Sequence, residues 1–424
     1  MSFKPTRDQR EALDRILAWF SEGGRTLTLG GYAGTGKTTL LGQVRRRLPH
    51  IRMVYASYTG KAVQVLRTKL PPGTEISTLH RLLYTPTHRV VCKVSGEDLS
   101  LPANLGQHRP GSMAQRAYCD KHKPTGTARP TEDGDLIDVP LPKPCTAVRK
   151  LDWLQNLSPL EGIDLVVVDE ASMVSDKIWA DLTKWNVPVL AVGDHGQLPP
   201  IKSSFNLMAD PEIRLEEIVR QVADSPIIKM SMRARAGEFI RFGDYGDGVQ
   251  KIHRAKLGRM EMDPDSPDEM IIVGFNRTRN DTNEMIRRQL GRKGDPTTGD
   301  IVICLRNDYE RGVFNGNRGR LEHFDPTNPF MPWAEITIFG EDFTYEGGVS
   351  LEQFGQPKTM TDQSRKLGLW DFGYAITCHK AQGSQADRVT VIEERMPSAD
   401  DEYHARWLYT AVTRAVSSLV LVGG

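Results

Sequence analysis

The stretch Gly31-Tyr32-Ala33-Gly34-Thr35-Gly36-Lys37-Thr38-Thr39 sets one lysine and three threonines among closely spaced glycines. Glycines let successive backbone N–H groups turn inward around phosphate oxygens, and a helix starting behind them adds favourable potential for an anion. Lys37 then reaches the β- and γ-phosphates, and the Thr38 hydroxyl suits Mg²⁺. A second group of chemically capable residues ends the apolar run Leu165–Val168, where Asp169 and Glu170 follow each other. Asp169 suits Mg²⁺ held through water, and Glu170 suits deprotonating an attacking water. A phosphotransferase that must exclude water has no use for Glu170, so hydrolysis is the better expectation. Gln197, in the run VGDHGQLPP over 192–200, has an amide that can accept from water and donate to a γ-phosphate.

These residues need elements that bring them together. RTLTLGG before the glycine loop reads as a buried strand and KTTLLGQVRRRL after it as a helix, the context of a P-loop. An opening helix over about 6–20 places Leu13, Ile16, Leu17 and Phe20 on one face and ends at SEGG. IRMVYAS, DLVVVDEAS and VPVLAVGD read as further parallel strands of a doubly wound α/β domain, which delivers Asp169 and Glu170 to the carboxyl edge of the sheet beside the loop. A second α/β pattern begins after about residue 210, with DEMIIVGFN, DRVTVIEE and SLVLVGG as candidate strands. Each pattern is interrupted. Residues 85–150 hold eight of the 26 prolines and little apolar periodicity, as in an inserted subdomain, and 290–362 alternate like a small β-barrel or meander. The expected division is 1–84 plus 151–210, the insert 85–150, then 211–289 plus 363–424, with 290–362 inserted.

Composition narrows the function classes. Lys and Arg (55) balance Asp and Glu (54), so a nucleic-acid site has to be a local groove and not a global basic field. No apolar run approaches the roughly 18 residues of a membrane span, and the charged amphipathic start lacks a signal-peptide core, which leads us to expect a soluble cytoplasmic protein. Five cysteines without a CxxC pair do not make a disulfide framework. Cys92, Cys119, His122 and Cys145 share the first insert, and CDKH has ligand-like spacing. The flanking spacings are irregular, so reduced thiols are expected ahead of zinc.

The ordered set GYAGTGKTT, ASYTGKAVQVL, STLHRLL, VVVDEAS, GDHGQLPP, LEEIVRQ, ITCHKAQGSQ and LYTAVTRA resembles superfamily 1 DNA helicases, most closely the 5′-to-3′ (1B-type) group with RecD-like and phage Dda-type enzymes. The resemblance spans about residues 5–424 and fits the two inserts only loosely. It implies two RecA-like domains, an irregular wedge-bearing insert in the first and a small SH3-like β insert in the second. Gln9 falls where the family reads adenine, and Gly31, Gly34, Thr35, Gly36, Lys37, Thr38 and Thr39 form the nucleotide loop, with Thr38 and Asp169 on the metal. Arg220 and Arg414 match the arginines that reach the γ-phosphate and would join Lys37, Glu170 and Gln197 in catalysis. Thr59, Lys61, Thr78, His80, Thr377, His379 and Ser384 match strand-contacting positions, although each in isolation reads first as a helix cap or solvated side chain. Asn276 and RNDYERGVFNGNRG also look like family elements, the latter fitting a tight Asn-Gly turn as well.

The implied function is an ATP- and Mg²⁺-dependent DNA helicase, monomeric, acting on single strands and their duplex junctions with little sequence preference. A single-strand binding protein or another replication or recombination partner fits that role, in a bacterial cell or phage-infected host. The alternatives are a translocase or motor subunit that unwinds only with a partner, a P-loop kinase or nucleotide switch, and a non-catalytic single-strand binding module. The kinase leaves the second α/β pattern and Arg414 unexplained, and the binding module leaves Lys37, Asp169 and Glu170 unexplained.

Overall fold

The computed structural model describes residues 5–92, 129–130, 136–137, 147–156, 158–199, 205–219, 223–259, 263, 266–308, 311–328, 331–341, 343–359, 367–397 and 400–424. Thr6 caps the first helix, α1 (Arg7–Ser21), in a reciprocal capping box: its hydroxyl accepts from the Gln9 N–H while the Gln9 side chain accepts from the Thr6 N–H. Ala12 and Ile16 of α1 are buried, and Leu13 and Phe20 pack against the same core. The chain continues through β1 (Thr26–Gly31), α2 (Lys37–Arg47), β2 (Met53–Ser57), α3 (Gly60–Lys69), β3 (Glu75–Thr78) and α4 (Leu79–Leu83).

A separate compact unit, Tyr84–Asn156, comes next. Its frame is an antiparallel pair, β4 (Tyr84–Cys92) and β7 (Ala147–Gln155), in register from Tyr84↔Gln155 to Cys92↔Ala147. The short pair β5 (Arg129–Pro130) and β6 (Leu136–Ile137) lies between them in sequence. The sequence signal for an inserted subdomain here, eight prolines and little apolar periodicity, hides these strands because neither feature marks a ladder locally. The frame comes from pairing with residues some 60 positions away.

The chain then completes the first sheet with β8 (Leu165–Asp169), α5 (Asp176–Thr183), β9 (Val189–Gly193) and β10 (Ile213–Leu215). The strand order is β10-β1-β9-β8-β2-β3, parallel throughout. A parallel sheet covered on both faces demands continuous apolar runs, and Val166–Val168 and Val189–Val192 are fully buried. β10 joins this sheet beside β1 although it lies past residue 210.

The second core contains α6 (Pro226–Arg235), β11 (Gly243–Asp244), β12 (Val249–His253), β13 (Glu269–Val273) and α7 (Asn276–Gln289). The inserted strands follow: β14 (Ile301–Cys304), β15 (Arg318–Asp325), β16 (Trp333–Ile338), β17 (Thr344–Gly348) and β18 (Trp370–Phe372). The core resumes with β19 (Ala375–Thr377), the short helix α8 (Cys378–Ala381), β20 (Ala386–Ile392), α9 (Asp401–Val412) and β21 (Ala415–Gly423). Its sheet runs β11-β12-β21-β20-β13-β19 and is parallel except at the two-residue edge strand β11.

The inserted strands form an antiparallel sheet, β17-β16-β15-β14-β18. Its edges meet: the Ser350 N–H donates to the Gly368 carbonyl (3.0 Å) and the Gly368 N–H to the Gly348 carbonyl (2.7 Å). The sheet thus curls around a core that includes Val302, Leu321, Ile336, Tyr345 and Trp370. Gly319 permits the tight β15–β16 approach, since a Cβ there would lie 2.5 Å from the Thr337 carbonyl oxygen. Buried Arg279–Asp371 and Arg287–Asp300 pairs, each at 3.1 Å, tie α7 to this sheet.

Candidate nucleotide site and strand groove

The glycine loop leaves β1 at Gly31 and enters α2 at Lys37. Gly34 (φ 81°) and Gly36 (φ 77°) adopt the left-handed backbone that lets the loop fold back on itself. Gln9, which sequence reasoning without the resemblance takes as an exposed helix residue, is buried beneath this loop, and its Nε2 donates to the Thr35 carbonyl (2.9 Å). A side chain at Gly36 would meet that amide at 2.4 Å. The buried Thr35 hydroxyl donates to the Tyr32 carbonyl (2.9 Å). Gln9, Gly31 and Thr35 therefore brace the loop, whereas Gly34, Gly36, Lys37, Thr38 and Thr39 line a cavity of about 420 Å³. Lys37 Nζ donates to the carbonyls of Gly31 (2.6 Å) and Tyr32 (3.0 Å) and lies 3.9 Å from Asp194.

Asp169 and Glu170 reach the same cavity from the end of β8. Burial, and then the neighbouring Glu170 charge, pushes the Asp169 carboxyl up to about 6, a bias that a cation at its oxygens would offset. With the Thr38 hydroxyl on the same cavity, the donors are hard oxygens of the kind Mg²⁺ takes. Glu170 sits at φ 53°, ψ 41°, a strained conformation for a residue with a side chain, as found at sites where placement outweighs local preference.

Asp194, which no sequence argument singled out, is the hub of the site. Its carboxylate accepts from the Gly196 N–H (2.8 Å), Gln197 Nε2 (3.3 Å) and the Tyr409 hydroxyl (2.7 Å). Gln197 lines the cavity, and its Oε1 is buried with no partner. From the second core, Gln385, Thr413 and Arg414 line the same cavity. Arg414 is buried, and its guanidinium donates to neutral oxygens: the Thr410 carbonyl (3.0 Å), the Thr413 hydroxyl (3.0 Å) and the Ser384 carbonyl (3.4 Å). Arg220 lies outside the described residues; its neighbour Val219 lines the cavity and donates its N–H to the Gly34 carbonyl (3.0 Å).

A second cavity, of about 450 Å³, brings together Thr59, Thr78 and His80 from the first core with His379 and Ser384 from the second. The Thr59 hydroxyl caps α3 by accepting from the Ala62 N–H, and Thr78 accepts from the Arg81 N–H, each at 3.2 Å. Both threonines therefore act as local caps as well as groove wall. Burial lowers the pKa of His80 and His379, favouring neutral rings. Thr377 instead lines an adjacent pocket of about 270 Å³ with Asn276 and Arg279, while His379 and Lys380 border both. Lys61 lies on α3, with its side chain outside the described residues. Gly316 (φ 95°) makes the Asn-Gly turn, and the turn presses Phe314 on Gly60, where a Cβ would meet the ring at 2.7 Å. One sequence thus serves both as a turn and as a groove wall.

Cys304 and Cys378 are buried free thiols, pushed up to about 12 by desolvation. The zinc candidates Cys119, His122 and Cys145 lie outside the described residues, as does the side chain of Cys92. Among the described residues no helix is long and apolar enough to cross a membrane.

A phosphate loop on one parallel core and an arginine from a second core on the same cavity define a two-core P-loop nucleotide-binding protein. Residues 4–255 match the AAA domain family and residues 372–422 the UvrD-like helicase C-terminal domain. The chain belongs to the AAA domain family, whose match covers more than half of it, and it resembles RecD- and Pif1-type helicases of superfamily 1B. It is 27% identical over 277 residues to the ATP-dependent RecD2 DNA helicase of Deinococcus radiodurans, covering 59% of this chain and 35% of that one. It is 28% identical over 392 residues to the RecBCD enzyme subunit RecD of Mycobacterium tuberculosis, covering 83% and 65%. The chain therefore spans between about a third and two thirds of the length of these relatives. In fold it is similar to Pif1 helicase from Bacteroides in complex with ADP-AlF3 and ssDNA, with a TM-score of 0.54 and 16% identity over 99% of this chain and 92% of that one.

Proposed function

We propose that this chain is an ATP-dependent DNA helicase that moves 5′ to 3′ along single-stranded DNA and opens duplex DNA ahead of it. One observation carries the reading: the nucleotide cavity and the groove are each walled by both cores. A change in how the cores meet at one cavity therefore alters the other, which is what a motor needs and a one-core kinase lacks.

In this reading Lys37 exchanges its loop carbonyls for the β- and γ-phosphates, and Thr38 and Asp169 hold Mg²⁺, whose charge neutralises the phosphate oxygens. Glu170 takes the proton of the attacking water, which the unpartnered Gln197 Oε1 orients. Arg414, with Arg220, stabilises charge on the transferring phosphoryl group. Gln9 reads the adenine once its amide leaves Thr35. Thr59, Lys61, Thr78, His80, His379 and Ser384, with Thr377 in the adjoining pocket, contact phosphates and sugars, which positions a strand without reading its sequence. The partners are single strands and their junctions, and the chain acts as a monomer.

The test compares ATP-driven unwinding of duplexes with a 5′ or a 3′ single-stranded tail, with Lys37→Ala as the inactive control. Unwinding of the 5′-tailed duplex alone is expected. Unwinding from the 3′ tail reverses the assigned polarity. Strand-stimulated ATP hydrolysis without unwinding of either makes the chain a translocase that needs a partner.

A further inference from the structure

Helix α9 of the second core touches both the groove and the nucleotide loop. At one end, Tyr403 places its hydroxyl 3.5 Å from Nε2 of the groove residue His379. Six residues on, about 9 Å along the axis, the buried Tyr409 hydroxyl accepts from the Ala33 N–H of the glycine loop (2.8 Å) and donates to Asp194 (2.7 Å). Between them, Arg406 donates to the His195 carbonyl (3.1 Å), and beyond, the Thr410 hydroxyl accepts from the Leu198 N–H (3.0 Å). Three residues of α9 therefore hold the loop that carries Asp194 and Gln197.

A second contact from the same core reaches the glycine loop independently. The Arg235 guanidinium, on α6, lies 4.6 Å from the centre of the Tyr32 ring, and His195 packs against the same ring at 4.2 Å. Tyr32 is held by a side chain from each core, and Arg235 Nη1 is buried without a hydrogen-bond partner. Neither Tyr409 nor Arg235 lines the nucleotide cavity, so neither is placed to touch the phosphates.

We infer that Tyr409 and Arg235 are positioning residues through which a strand in the groove sets the geometry of the nucleotide loop. Asp194 is the receiving group, because one carboxylate faces Lys37, Gln197 and Tyr409 together. A strand that shifts His379 and Tyr403 moves α9 as a rod, and the hydroxyl at its far end repositions Asp194 and Ala33. Buried hydrogen bonds transmit such a shift well, since breaking one leaves both partners unsatisfied.

This inference rests on the helicase reading, and its test separates the two. ATP hydrolysis by the full chain is measured with and without a single-stranded oligonucleotide, for wild type, Tyr409→Phe, Arg235→Gln and Arg235→Lys. Wild-type hydrolysis that ignores the strand overturns the helicase reading itself. With wild type stimulated, Tyr409→Phe and Arg235→Gln are expected to lower the ratio of stimulated to unstimulated rate about tenfold, with strand affinity within about threefold of wild type. Arg235→Lys, which keeps a cation over Tyr32, recovers part of the ratio. Partial unfolding scales both rates together and leaves the ratio intact, so an unchanged ratio in soluble Tyr409→Phe overturns the inference. Should Tyr409→Phe not fold, an unchanged ratio in Arg235→Gln, whose side chain is only half-buried, does the same.

Discussion

The chemistry assigned to single residues is testable at single atoms. Glu170→Gln keeps the side-chain length and the left-handed backbone of the native residue while removing the proton acceptor. ATP-analogue affinity should stay within about threefold while turnover falls at least about a hundredfold, the range removed with a general base. Near-normal turnover in a steady-state assay would take the base role from Glu170. His195 makes a separate prediction. Its ring is buried with neither nitrogen partnered, and burial lowers its pKa from 6.5 to about 4. An unfolded chain therefore takes up this proton near pH 6.5 and the folded chain only near 4, so stability is lost as pH falls across that window and not further below it. His195→Gln removes this contribution. Its thermal midpoint, followed from pH 7 to 4.5, should fall less steeply than that of wild type, and parallel curves would count against the assignment.

At the scale of elements, Thr59 is a helix cap with a proposed part in strand binding, and substitution can separate the two. Thr59 supplies the N-cap of α3, and a cap of this type is worth about 1 kcal/mol. Thr59→Ala should lower the melting temperature and weaken strand binding, whereas Thr59→Ser keeps the hydroxyl and restores both. If Ala lowers stability but binds single strands as well as wild type, the hydroxyl is a cap and no more. The same double use explains the Asn-Gly turn of the curled sheet, where a local backbone need and a place for Phe314 coincide. It also explains Gln9, whose capping box both starts α1 and delivers the amide to the loop.

For the whole molecule, the net charge of +1 leaves strand binding to local contacts. Lys380 is the cationic side chain on the described wall of the groove, and its pKa is lowered to about 8 by burial and then by Arg279. Strand affinity should fall with salt on a shallow log–log slope, of order 1 to 2, because each phosphate neutralised on a single strand contributes about 0.7. Titrating a fluorescent oligonucleotide across salt concentrations measures this slope. A flat profile would argue against a track along the strand backbone.

The sequence alone determined the parts whose signals are local. The glycine loop between a strand and a helix, the acids closing Leu165–Val168 and the two α/β patterns were legible because backbone periodicity and turn chemistry are written in consecutive residues. The RecD-like resemblance was legible in motif order for the same reason. Only the tertiary structure decided which residues share a cavity. Tyr409 and Asp194 are 215 positions apart, and nothing near either one encodes their hydrogen bond. Thr377 and Ser384 lie in one short run yet line different pockets. β4 lies in a proline-rich stretch with little apolar periodicity and is formed by distant pairing. Such contacts depend on how segments distant in sequence come together, a property of surfaces assembled from many segments.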